Sequence, residues 1–116
     1  MSKPVIYHNP RCSKSRQTLA LLEEKNLDVN IVEYLQSPLS ADDLNSILTQ
    51  LGGDVRAMVR KKEAAYQEQG LSEDSSTDDI IAAIVQEPIL LERPIVVHQG
   101  KAAIGRPPEN VLQLFE

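Results

Sequence analysis

A chain of 116 residues is one domain's worth of sequence and is long enough to bury a self-supporting core. Hydrophobic residues make up 41% and aromatic ones 3%, so the core must be aliphatic and no platform for stacking nucleic-acid bases is at hand. Twelve Lys and Arg against seventeen Asp and Glu give a net charge of -5, which argues against nucleic-acid binding yet leaves room for a local arginine cluster holding a small anion.

The N-terminal stretch from Met1 to His8 has no apolar run suited to a signal peptide, and no segment approaches the ~20 apolar residues of a membrane span. Cys12 is the single cysteine, so no internal disulfide can form. These features predict a soluble, cytoplasmic protein in a reducing compartment; a monomer is expected, although no residue pattern here specifies the oligomeric state.

In chain order, Val5-Ile6-Tyr7 is a β-prone run broken at once by Asn9-Pro10. A helix begins near Ser13, with Leu19 and Leu22 on its apolar face, and ends at Lys25-Asn26. Residues 29–34 form a second strand, so the opening is strand–helix–strand, the pattern of a parallel pair with a crossover. Ser40 caps a helix carrying Leu44, Ile47, Leu48 and Leu51, which stops at Gly52-Gly53. Short helical segments follow over residues 55–59 and 64–68. Thr77-Asp78-Asp79 caps a further helix with Ile80, Ile81, Ile84 and Val85, ending before Pro88. A buried connection at Ile89-Leu90-Leu91 leads to strands over residues 94–97 and 102–104, turned by Gln99-Gly100. Pro107 opens a last helix with Val111, Leu112, Leu114 and Phe115. The order predicts an α/β fold: a thioredoxin-like mixed four-stranded sheet, in one domain over 1–116, with a helical insertion at about 38–88.

The segment His8-Asn9-Pro10-Arg11-Cys12-Ser13-Lys14-Ser15-Arg16 carries the chemistry. Cys12 follows a strand and a turn and stands just ahead of a helix, where free amides and the positive end of the helix dipole favour a thiolate. Arg11, Lys14 and Arg16 add positive charge. The shift matters because a thiol of pKa ~8.5 is only about 3% ionised at pH 7. A free cysteine is often an inert core residue; the polar, cationic turn favours the nucleophile instead. Position 15 is serine, so no second thiol of this chain can resolve an adduct on Cys12.

Arg60, Arg93 and Arg106 stand at points of constrained geometry, the last two directly before prolines. Guanidinium groups bind oxyanions in bidentate fashion and stay charged. A lone arginine is usually a solvated charge, and convergence of these three on Cys12 does not follow from spacing.

The chain resembles the glutaredoxin-dependent arsenate reductase family, also called ArsC-like, as a short member ending at Glu116. The resemblance rests on residues 7–16, 55–61, 66–71, 88–97 and Gly105-Arg106-Pro107. It implies a thioredoxin-like fold with Cys12 as nucleophile, His8 and Ser15 beside it, and Arg60, Arg93 and Arg106 binding arsenate and lowering the thiol pKa. It also implies a cis Arg93-Pro94 bond. Cys12 would attack arsenate, glutathione would displace the adduct, glutaredoxin would remove the glutathione, and arsenite would leave. No metal or bound organic cofactor is expected, with glutathione as external reductant. Two other readings compete. A regulatory protein like Spx, which binds RNA polymerase, shares this fold, but such proteins commonly carry a Cys-x-x-Cys switch that position 15 lacks. A monothiol oxidoreductase acting on glutathionylated proteins without arsenate activity is the other. His98 is weighed as a second site histidine, with a solvated turn residue the favoured reading.

Overall fold

The computed structural model describes residues 3–116; Met1 and Ser2, part of the stretch read as too polar for a signal peptide, lie outside the described residues. Two compact units make up the chain, one formed by residues up to Ser37 together with Arg93–Glu116, the other by Pro38–Glu92.

The first unit holds a four-stranded sheet in the order β2-β1-β3-β4, from β1 (Val5–His8), β2 (Asn30–Glu33), β3 (Ile95–His98) and β4 (Lys101–Ile104). Strands β1 and β2 run parallel through helix α1 (Ser13–Glu24), and β1–β3 and β3–β4 are antiparallel, so the sheet is mixed as the strand order predicts. Gln99 and Gly100 take φ of 50° and 80°, which turns the β3–β4 hairpin with the twist that tight hairpins favour. Ile6, Leu22, Val96, Ala103 and Val111 form an aliphatic core, with Leu19, Leu27, Val29, Leu114 and Phe115 packed around it. On the edge strand β2, Ile31 is 49% exposed, because only one neighbour covers it.

Two expectations shift here. The buried face of α1 is wider than the expected Leu19 and Leu22, which do meet the core: Ser15 and Thr18 are buried with Leu22, and Leu19 is half-buried. The hydroxyls tolerate burial because they are bonded: Thr18 Oγ1 donates to the Lys14 carbonyl at 2.8 Å, and Ser15 is bonded at the site. The final segment is a 3₁₀ helix, Pro108–Phe115. Its three-residue repeat aligns Pro108, Val111 and Leu114 on one side, the first two buried.

The second unit contains α2 (Ala41–Gln50), α3 (Val55–Met58), α4 (Ala64–Glu68), α5 (Thr77–Gln86) and a 3₁₀ turn at Pro88–Leu90. A reciprocal cap starts α2: Asp43 N–H donates to Ser40 Oγ at 3.1 Å, and Ser40 N–H to Asp43 Oδ2 at 3.0 Å. The cap of α5 is Ser76, one residue earlier than expected, accepting from Asp79 N–H at 3.1 Å. Among the described residues, no helix is long and apolar enough to cross a membrane.

Candidate active site

Asn9-Pro10-Arg11 turns the chain between β1 and α1. The turn is closed by Cys12 N–H donating to the Asn9 carbonyl and Arg11 N–H donating to Asn9 Oδ1, each at 3.0 Å. Cys12 is thereby left at the N-cap of α1 in extended conformation, φ -93° and ψ 124°. It makes no regular capping bond, but the amides of Ser15 and Lys14 face its sulfur.

The hairpin end of the same unit brings two arginines to that sulfur. Arg106 follows β4, and its Nη2 lies 3.4 Å from Cys12 Sγ. Its Nε donates to the Arg93 carbonyl at 2.8 Å, which ties the two arginine-bearing segments together. Arg93 donates from its side chain to the sulfur as well. Both arginines precede cis prolines; the Arg93-Pro94 bond was anticipated and the Arg106-Pro107 bond was not.

Burial alone pushes the Cys12 thiol up. The Ser15 amide, the Arg93 guanidinium, the Lys14 amide and the Arg106 charge outweigh it, in that order, and hold the thiol below its ordinary value. These groups make the thiolate easier to form on a half-buried sulfur that stays open to a small reactant.

His8 and Ser15 are joined behind the turn. Ser15 Oγ accepts from Asn9 N–H at 3.0 Å and lies 2.7 Å from His8 Nδ1, and both residues are buried. Burial lowers the His8 pKa below 6.5; Glu33 pulls it up and Arg16 pushes it further down. With Ser15 Oγ already accepting from Asn9, a neutral imidazole carrying its hydrogen on Nε2 would let Nδ1 accept a hydrogen bond from the serine hydroxyl and leave only Nε2 of the buried pair unsatisfied.

Gly105 is a site residue that sequence reasoning passed over. A Cβ there would stand 2.5 Å from Thr18 Oγ1 and 2.8 Å from Pro94 Cγ, so only glycine lets β4 run this close to α1. Its N–H donates to the Pro94 carbonyl at 2.9 Å, which sets the position of the neighbouring Arg106. The one signal in the sequence was a glycine directly before a predicted anion-binding arginine.

Arg60 lies in the Pro38–Glu92 unit, where its guanidinium is bonded to Glu63 at 3.1 Å and to Glu92 at 2.6 Å. Its pKa is raised, burial working against the effect and Glu92 leading it. The structure thus brings Cys12, His8, Ser15, Arg93 and Arg106 together within the first unit.

The model of the ArsC family matches residues 7–114 of this chain. The chain belongs to the ArsC family. That match takes in Cys12, Arg60, Arg93 and Arg106. Among ArsC relatives, an arsenate reductase of Haemophilus influenzae is 49% identical, the alignment covering 96% of this chain and 97% of that protein. The uncharacterized protein YfgD of Escherichia coli (strain K12) is 50% identical over 98% of each chain. The solved structure of an arsenate reductase from Vibrio cholerae superposes with a TM-score of 0.92 at 48% identity, covering 97% of each chain. The ArsC fold, thioredoxin-like with its mixed sheet, is therefore that of this protein.

His98 takes no part in this ArsC site. It ends β3, at the far end of the strand from Arg93, and stacks on Phe115 with ring centroids 4.7 Å apart. It is half-buried in strand structure rather than solvated in a turn. Among the described residues, no group of three or more His, Cys, Asp and Glu is placed to hold a metal ion.

Proposed function

We propose that this protein reduces arsenate, or a closely related oxyanion, in the cytoplasm by way of a covalent adduct on Cys12. The observation that carries the reading is the sulfur at the start of α1, with Arg106 Nη2 at 3.4 Å and the Arg93 guanidinium beside it. The same two cations that favour the thiolate suit a tetrahedral oxyanion, whose charge they offset as it approaches. The names of the ArsC relatives point to arsenate as that oxyanion.

Electron counting sets the rest. The Cys12 thiolate bonds to As(V), and an oxygen of arsenate leaves as water once protonated. Arsenic must then gain two electrons, and this chain has no second cysteine to supply them. A glutathione thiolate attacking the Cys12 sulfur breaks the S–As bond with the electron pair staying on arsenic. As(III) leaves as arsenite, and Cys12 remains as a mixed disulfide with glutathione. A glutaredoxin thiol then takes up the glutathione and returns Cys12 as thiolate.

In this scheme Ser15 contributes its amide to the sulfur, while its hydroxyl and His8 position the turn that presents Cys12. Arg60 is assigned to the oxyanion on the family resemblance. Arg60→Ala is accordingly expected to raise the arsenate KM about tenfold, the loss of one charged hydrogen-bonding partner, with the glutathione KM unchanged. An unchanged arsenate KM removes Arg60 from the site.

The activity is tested by coupling to glutathione, glutaredoxin, glutathione reductase and NADPH. Arsenate is expected to drive NADPH oxidation, and Cys12→Ser to return it to the rate without enzyme. A wild-type rate indifferent to arsenate would overturn the proposal.

A further inference from the structure

A cavity of about 260 Å³ opens beside the Cys12 turn, lined by His8, Asn9, Pro10, Arg11, Glu33, Leu35 and Gln36. It lies at the carboxyl ends of the parallel strands β1 and β2, where His8 and Glu33 are register partners. Crevices outside such strand ends are where open α/β sheets bind ligands. The lining stops at Arg11, one residue short of the nucleophile.

Glu33 acts on His8 through its charge, but the polar groups that meet there leave hydrogen-bonding capacity unused. His8 is 5% exposed, and its Nε2 makes no hydrogen bond to any described residue, although its Nδ1 is bonded to Ser15. The side chains of Arg11, Glu33 and Gln36 make no hydrogen bond or ion pair with described residues either, and Arg11 and Glu33 do not pair with each other. A cation and a carboxylate left apart in one cavity are mismatched to a simple anion, which Glu33 repels. They are equally mismatched to a simple cation, which Arg11 repels. A ligand carrying an ammonium and a carboxylate on one carbon satisfies both.

We propose that this cavity is the subsite for the γ-glutamyl head of glutathione, Glu33 taking its α-ammonium and Arg11 its α-carboxylate. Gln36 and the Nε2–H of His8 supply further polar contacts, and the half-exposed Leu35 covers the methylene chain. The volume falls below the ~300–1,000 Å³ that whole drug-sized ligands occupy, so it suits the head of the tripeptide and leaves the cysteinyl arm outside. That arm, on the order of two residue spans at ~3.5 Å each, bridges Arg11 to the sulfur of Cys12. The inference rests on glutathione being the thiol that resolves Cys12.

The test uses the intact protein and no arsenate. Cys12 thiolate attacks glutathione disulfide, the S–S bond breaks, a Cys12–glutathione disulfide forms and one glutathione thiolate leaves. The rate is compared with that for the des-amino analogue, the same disulfide with glutaryl in place of γ-glutamyl. Wild type is expected to favour glutathione disulfide about tenfold, the worth of one charged contact, and Glu33→Gln to bring the ratio near one. Glu24→Gln, an exposed charge at the other end of α1, should keep the ratio. Each ratio is taken within one variant, so any change in thiolate fraction cancels. A wild-type ratio near one, or a preference that survives Glu33→Gln, overturns the subsite. Absence of arsenate turnover would instead sink the proposed activity and leave this outcome readable.

Discussion

Replacing Arg106 with Ala is expected to raise the Cys12 pKa and to slow alkylation by iodoacetamide near neutral pH by up to about tenfold. The guanidinium sits 3.4 Å from the sulfur and holds the Arg93 carbonyl at 2.8 Å, so its loss removes one cation and loosens a second. A hydrogen bond to a charged group is worth about 1.5–3 kcal/mol, and one pKa unit is about 1.36 kcal/mol. The site is partly open to solvent, which screens the charge and places the effect at the low end of that range. The alkylation rate followed against pH reads the shift directly; an unmoved inflection would refute the electrostatic account of the site.

The same substitution has a stability signature with a definite sign. In the native state the thiol titrates below its ordinary value, so between the two values the unfolded chain holds the proton and the native one does not. Stability therefore rises with pH across that window and is fully gained above about 9, while the contribution vanishes in acid, below the native pKa. Arg106→Ala narrows the window. The gap in unfolding free energy between wild type and variant, from urea melts, is expected to widen from acid toward pH 9. A gap that closes over that range would have the wrong sign.

Gly105→Ala is the second large effect. The added methyl would meet Thr18 Oγ1 at 2.5 Å and Pro94 Cγ at 2.8 Å, and Thr18 is fully buried and already bonded to the Lys14 carbonyl. Neither neighbour can turn aside, so α1 and β4 must part. Overpacking of this kind costs about 1–3 kcal/mol, equivalent to a fall in Tm of roughly 3–8 °C per kcal/mol in a domain of this size. Alkylation of Cys12 should slow as well, because the Gly105 amide on the Pro94 carbonyl sets where Arg106 stands. Thr18→Ala removes the closest of the two contacts, and in that background Gly105→Ala should cost measurably less. Equal costs in both backgrounds would show that the steric account is wrong.

Between them, these two substitutions separate charge from position. Arg106→Ala removes the cation and leaves the packing of α1 against β4 in place. Gly105→Ala keeps every charge and moves the strand that carries one of them. If both slow Cys12 by a similar factor, the thiolate depends on placement to within a few tenths of an ångström, as sites built from preorganised donors do.

Much of this architecture was legible from local chemistry. The Asn9-Pro10 break, the Ser40–Asp43 cap and the Gln99-Gly100 turn each depend on residues within a few positions of one another, so propensity alone located β1, α2 and the β3–β4 hairpin. Cys12 at the start of a helix was legible for the same reason. Leu19 and Leu22 were legible as the core face of α1, but the burial of Ser15 and Thr18 was not, because both look like surface residues until their bonding partners, His8, Asn9 and the Lys14 carbonyl, are in place. The last segment was read as an ordinary helix because the apolar spacing of Val111, Leu112, Leu114 and Phe115 does not separate a 3.6-residue from a 3.0-residue period over eight positions.

Three arginines could be singled out from the chain alone, since their neighbours constrain them, but what each one touches could not. The Arg106–Cys12 contact joins positions 94 residues apart, and nothing local encodes it. It exists because β3 and β4 pair antiparallel next to β1, which carries both pre-proline arginines to the end of the sheet where α1 begins. Residue chemistry supplied the reactive group and its candidate partners. Strand pairing and the close approach at Gly105 put a charge on the sulfur, because electrostatic stabilisation falls with distance and only the folded chain sets that distance.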